Sequence, residues 1–84
     1  MIKRAVTVNM VDGLEARPIA MLVQTASQFA SRVYIEIDTK KINAKSIMGM
    51  MSLNVSGGDK VVVVTEGDDE EAAANEIEKY LSKK

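Results

Sequence analysis

The sequence predicts an α+β fold, an antiparallel sheet with its helices gathered on one face. Three observations carry that expectation. The spacing of apolar residues switches between a period of two and a period near 3.6 along the chain. The resulting order of elements is β-α-β-β-α-β-α. A continuous Val61–Val64 run marks one strand as central. Helices on one side of a sheet bury every apolar stripe that this order creates, which makes an open-faced sandwich. At 84 residues the chain is expected to be a single domain, 1–84, with a thin core.

From Ile2 to Met10 the residues can alternate as a strand, with Ile2, Val6, Val8 and Met10 on one face. Arg4 interrupts that face, so either the strand begins near Ala5 or its first end is wet. Asp12-Gly13 is a turn signal. Ile19, Leu22, Val23, Ala26, Phe29 and Ala30 then fall on one helical face between Ala16 and Ala30. Pro18 sits in the first turn, where its missing N–H does no harm. Ser31 to Ile37 alternates again, with Val33, Ile35 and Ile37 inward, and Lys41-Ile42-Asn43 pairs back across an Asp38-Thr39-Lys40 turn. Ser46 to Leu53 reads as a short helix that begins at a good N-cap residue. Ser56 to Asp59 is a loop, and Lys60 to Glu66 is the Val-rich strand. Gly67-Asp68 opens the last helix, with Asp68 and Glu71 as a capping-box-like pair and Ala73, Ile77, Tyr80 and Leu81 as its buried stripe.

Composition narrows the functions available. The chain has no Cys and no His. Disulfides, thiolate metal sites and the common His-based zinc and iron sets are therefore excluded; a carboxylate-only Mg²⁺ or Ca²⁺ site stays open in principle, but neither a metal nor a cofactor is expected. No apolar run reaches the length of a membrane span and nothing resembles a signal peptide, so a cytoplasmic location is expected. The net charge of −1 is uneven. Residues 1–65 hold eight Lys/Arg and five Asp/Glu, a net +3, and residues 66–84 hold three Lys and seven Asp/Glu, a net −4. A charge of +3 with three aromatics, Phe29, Tyr34 and Tyr80, is too little for a direct nucleic-acid surface. No nucleophile–base pair is visible, so an enzyme is not expected.

Two segments stand out. Gly13-Leu14-Glu15-Ala16-Arg17-Pro18 opens the first helix, and Asn43-Ala44-Lys45-Ser46-Ile47-Met48-Gly49-Met50-Met51-Ser52-Leu53 surrounds the second. From the residues alone, Glu15 is an acid near a helix N-terminus, a placement worth about 0.3–1 kcal/mol. Arg17 could fork onto an oxyanion or stand solvated. Ser46 is a plain N-cap. Ile47, Met48 and Met51 are too many for so short a helix to bury beside Met50 and Leu53. Ala20, Met21 and Gln24 fall off the buried face of the first helix. A soft apolar patch of this kind suits docking.

Order and motifs together resemble the HPr family, the small phosphocarrier proteins of the bacterial sugar phosphotransferase system. The resemblance covers essentially the whole chain. Family members read Gly-Leu/Ile-His-Ala-Arg-Pro where this chain has Gly13 to Pro18, and the Asn43–Leu53 segment matches the regulatory serine segment of low-GC Gram-positive members. The resemblance implies strand order 1-4-2-3 with three helices on one side. It also implies that Glu15 stands where the family has the His that receives a phosphoryl group from enzyme I. In lacking that His and keeping the serine, the chain is similar to HPr-like proteins of the Crh type, which carry Gln where this chain has Glu15.

The resemblance implies phosphorylation of Ser46 by HPr kinase/phosphorylase, and then action as corepressor of a LacI-type catabolite control protein. Arg17, Ala20, Met21, Gln24, Lys45, Ile47, Met48 and Met51 become the expected partner surface. Glu15 has three readings. It is a helix-start acid, a partial mimic of phosphohistidine beside Arg17, or a weak acyl-phosphate acceptor in a variant phosphocarrier, natural or engineered. A carboxylate can form an acyl phosphate, but the donor site is shaped for a ring nitrogen. The chain is expected to be a monomer or a dimer made by swapping its first strand.

Overall fold

The computed structural model describes residues 1–8, 16–37, 39–51 and 58–82, and of residues 16–18 the backbone alone. Its elements are β1 (Ile2–Thr7), α1 (Ala16–Ser27), β2 (Arg32–Ile37), β3 (Lys40–Asn43), α2 (Ile47–Met51), β4 (Lys60–Glu66) and α3 (Glu70–Leu81). The strands form one antiparallel sheet in the order β1-β4-β2-β3. This is the expected α+β architecture with the expected strand order.

β4 is central because both of its edges are paired, Val6 opposite Val61 on one side and Tyr34 opposite Val64 on the other. Val61 and Val63 join the core with Val6, Val33 and Ile35 from the neighbouring strands. The three helices supply Ile19, Leu22, Met50 and Ile77 to the same cluster. Val64 points to the opposite face and is buried too. The register sets it between Lys3 and Tyr34, and the Lys41 ammonium lies 4.6 Å from the Tyr34 ring centroid. Long side chains from the flanking strands thus cover the second face of the central strand. That cover is why its sequence reads as unbroken Val.

Three expectations need correction at their edges. The apolar stripe of α1 does not reach Ala30, which is exposed. The amides of Gln28 and Phe29 bond to the carbonyls of Thr25 and Ala26, three residues back, and this tighter turn rotates residue 30 off the face. Of the two readings of Arg4, the late start near Ala5 is not found, whereas the first end of β1 is the partly exposed one. The strand begins at Ile2, and the Arg4 guanidinium reaches α3, donating to Asn75 and to the Glu78 carboxylate at 3.2 Å. The third correction concerns α3. It begins at Glu70, with Asp69 at the N-cap position and no side-chain capping bond. Glu70 reaches back to the Gly67 amide at 3.3 Å, so the expected Asp68–Glu71 pair is not the cap. Met50 is buried as expected, whereas its proposed core partner Leu53, together with Met10, Asp38 and the Lys83–Lys84 end, lies outside the described residues.

Asp69 is used across the fold. Its carboxylate accepts from the Ala30 and Ser31 amides, each at 2.9 Å, and from the Ser31 hydroxyl. The Ser31 hydroxyl, followed by the Ala30 amide, holds the Asp69 carboxyl below its ordinary value of 3.8. Glu70 is lowered from 4.5, first by its hydrogen bond to the chain's amino terminus and then by the Gly67 amide. That ammonium stands 2.9 Å from Glu70. Both acids have folded values below their unfolded ones. Their contribution to stability is therefore complete above 3.8 and 4.5, and is lost as pH falls through the lower folded values. Thermal melts should show a level midpoint from neutrality to about pH 5 and a fall below it. Asp69→Asn should lower the neutral plateau and flatten the acid limb.

Candidate functional site

The corner that carries Ser46 is built by β3 and the turn after it. Ala44 is buried and its amide donates to the Val33 carbonyl at 2.8 Å, which pins the chain as it leaves the sheet. The Asn43 side-chain oxygen accepts the Lys45 amide at 2.9 Å, and the Asn43 carbonyl accepts the Ser46 amide at 3.1 Å. This Asx-type turn delivers Ser46 to the start of α2. There its Oγ accepts the Gly49 amide at 3.2 Å and its carbonyl accepts the Met50 amide at 2.9 Å. Ser46 is therefore the N-cap of α2, as its residue type predicts. A Cβ on Gly49 would lie 3.3 Å from an Ile42 methyl and 3.4 Å from Ser46 Oγ, so the glycine lets the helix start sit close against β3.

α2 is held by one anchor and presents the rest. Met50 is fully buried, whereas Ile47, Met48 and Met51 are 47 %, 84 % and 55 % exposed. Ala20, Met21 and Gln24 are exposed along α1, which packs against α2. The residues predicted for the partner surface thus divide in two. Lys45, Ile47, Met48 and Met51 flank Ser46 directly, and Ala20, Met21 and Gln24 belong to the adjoining helix. Arg17 lies in the first turn of α1, with its side chain outside the described residues. Glu15 also lies outside them, so its relation to Ser46 is a matter of sequence.

Lys45 does something the sequence reading did not foresee. Its ammonium donates to the Phe29 carbonyl at 2.6 Å, just past the end of α1. Phe29 adjoins Ala30 and Ser31, the two residues held by Asp69. A continuous series of contacts therefore runs from the start of α3, through the α1–β2 connection, to the Ser46 corner. A Lys at the end of a helix, where carbonyls lack partners, is a general signal for this bond. Here it comes from 16 residues downstream, out of reach of local pattern. Lys45→Met should lower the melting temperature by roughly 4–8 °C, the loss of about 1 kcal/mol, as read by circular dichroism.

The chemistry available at this corner is that of a single hydroxyl at a helix start. No His exists to act as a base, and among the described residues no group of three or more acidic side chains is placed to hold a metal ion. A groove of about 280 Å³ between α1 and α3 is lined, among the described residues, by Thr25, Glu76, Lys79 and Tyr80. It does not involve Ser46. No helix among the described residues is long and apolar enough to cross a membrane.

Comparison with known proteins follows the same outline. Residues 2–83 match the family model of the PTS HPr component phosphorylation site. The HPr-like protein Crh of Halalkalibacterium halodurans is 45 % identical over 83 residues, 99 % of each chain. The crystal structure of the phosphocarrier protein HPr from Bacillus anthracis superposes with a TM-score of 0.92 at 42 % identity, over 95 % of each chain. Crh from Bacillus subtilis superposes at 0.77 with 47 % identity, over 96 % of this chain and 93 % of that one. Its crystal structure was described as an unexpected domain swap forming an intertwined dimer.

Proposed function

Because the chain belongs to the HPr family of the phosphotransferase system, we infer that it is a regulatory member of the Crh kind, controlled at Ser46. The observation that carries this reading is the Ser46 corner itself. A capping hydroxyl sits beside an exposed apolar helix face, in a chain whose relay position holds Glu15. HPr kinase/phosphorylase transfers a phosphoryl group from ATP to Ser46 Oγ. The product adds about −1.5 to −2 charges and three acceptor oxygens at the start of α2. Negative charge is favoured at that end of a helix, so α2 persists. The switch is a change of surface charge beside Lys45 rather than a refolding.

The phosphorylated chain then acts as corepressor of a LacI-type catabolite control protein and takes part in carbon catabolite repression in the cytoplasm. It makes no direct contact with nucleic acid. Ile47, Met48 and Met51 supply apolar contact, Lys45 and Arg17 supply charge, and Ala20, Met21 and Gln24 extend the surface along α1. Transfer to sugar permeases is lost because Glu15 offers a carboxylate where the family has a ring nitrogen, and an acidic side chain is a poor acceptor for an anionic phosphoryl group. The chain acts through binding rather than catalysis, as a monomer or a strand-swapped dimer. The swap described for Bacillus subtilis Crh supports the second state.

Incubation with HPr kinase and ATP, followed by titration against the repressor, tests this reading. One phosphate on Ser46 and phosphate-dependent binding are expected. An unmodified Ser46, or binding indifferent to its phosphate, would remove it. A second reading draws on the close superposition with Bacillus anthracis HPr. In it Glu15 is a weak phosphoryl acceptor, and a hydroxylamine-labile label from phosphoenolpyruvate and enzyme I would mark it.

A further inference from the structure

Resting on the docking role proposed for α2, we propose that the exposed thioethers of Met21, Met48 and Met51 form an oxidation-sensitive modification site that switches this face from apolar to polar. Met48 and Met51 are spaced i, i+3 on α2 and both face solvent. Met21 faces solvent on α1, which packs against α2. Met50 shares the short helix with two of them, yet is fully buried. The same side chain in the same helix is therefore presented in one case and withheld in the other. The chain has no Cys, so no thiol competes for an oxidant and the thioethers are its sulfur chemistry.

The oxidant is a peroxide. The thioether sulfur attacks one peroxide oxygen, an S–O bond forms and the O–O bond breaks. The proton on the transferred oxygen passes to the departing hydroxide, which leaves as water. Sulfur loses two electrons and the peroxide gains them. The product, methionine sulfoxide, is polar and a strong hydrogen-bond acceptor, and reductases return it to the thioether. On this face it replaces soft apolar contact with groups that must be desolvated before a partner can dock. The fold itself is spared, because the core anchor Met50 is out of reach. The site makes docking dependent on redox conditions as well as on Ser46.

The test uses the whole chain, phosphorylated on Ser46, with hydrogen peroxide as probe. Among the methionines of α1 and α2, peptide mass mapping should find Met48 oxidised first, Met51 and Met21 next, and Met50 spared. Retention on a hydrophobic column should shorten, and affinity for the LacI-type repressor should fall at least roughly tenfold. Methionine sulfoxide reductase should restore both. In the triple variant Met21→Leu, Met48→Leu, Met51→Leu, peroxide should shorten retention far less than in the unaltered chain, with exposed Met1 accounting for the remainder, and an undiminished shift would overturn the proposal. Oxidation of Met50 as fast as Met48, or unchanged retention once all three are sulfoxides, overturns the proposal. If the unoxidised phosphorylated chain fails to bind the repressor, the docking reading falls. Mapping and retention then decide the modification site alone.

Discussion

Ser46→Ala is expected to take up no phosphate from ATP and HPr kinase and to lose all phosphate-dependent binding to the repressor. The loss should be complete because the corner offers one capping hydroxyl to the kinase, and the residue that replaces it has no oxygen. The fold should survive. Ser46 Oγ contributes a single bond to the Gly49 amide, and removing an N-cap of this type costs about 0.5–2 kcal/mol. Met50 still anchors α2, and Ala44 and Asn43 still shape the turn. A melting curve displaced by a few degrees, together with no incorporated phosphate, separates loss of the site from loss of the structure.

Gly67→Ala is expected to be the most damaging glycine-to-alanine change among the described residues. The φ of Gly67 is +151°, a conformation that L side chains rarely adopt. A Cβ there would lie 2.6 Å from Ser31 Oγ and 2.7 Å from Ser31 Cα. The second atom is backbone and cannot rotate away. Relief requires the β4–α3 turn to withdraw from Ser31, which breaks the bonds from Ala30 and Ser31 to Asp69. Backbone strain and overpacking together come to roughly 2–5 kcal/mol, enough to lower the melting temperature by about 10 °C or more. Gly58 makes the comparison. Its φ is +95° but nothing lies within 4 Å of its Cβ position, so Gly58→Ala should cost only about 1–2 kcal/mol. Similar losses at the two positions would show that the close approach to Ser31 is not what matters at Gly67.

Much of this architecture is legible in the chain because local and global preferences agree. The Lys60–Glu66 strand is found as its composition predicts, since a strand paired on both edges favours apolar side chains, and its one buried polar residue, Thr65, donates to the Glu70 carbonyl. Ser46 is legible as a cap because its role is decided within three residues. The α1 stripe misleads at Ala30, where periodicity continues in the sequence after the helix has tightened and turned. The role of Asp69 is hidden for a different reason. A carboxylate beside a helix start normally caps it, but this one meets three donors from a segment 38 and 39 residues away. The Lys45–Phe29 bond is hidden in the same way. Pairings that depend on which loops the sheet order brings together leave no periodic trace. The exposed face of α2 was foreseeable by counting: five residues that include four large apolar side chains cannot all turn inward.

The proposed loss of phosphoryl relay follows from Glu15 aligning with the family's acceptor His. Labelled phosphoenolpyruvate, enzyme I, this chain and a sugar-permease component should be combined, with a His-bearing HPr run in parallel. The account predicts that label reaches the sugar in the parallel reaction and not through this chain. Delivery of label through this chain at the rate of the His-bearing protein would contradict it.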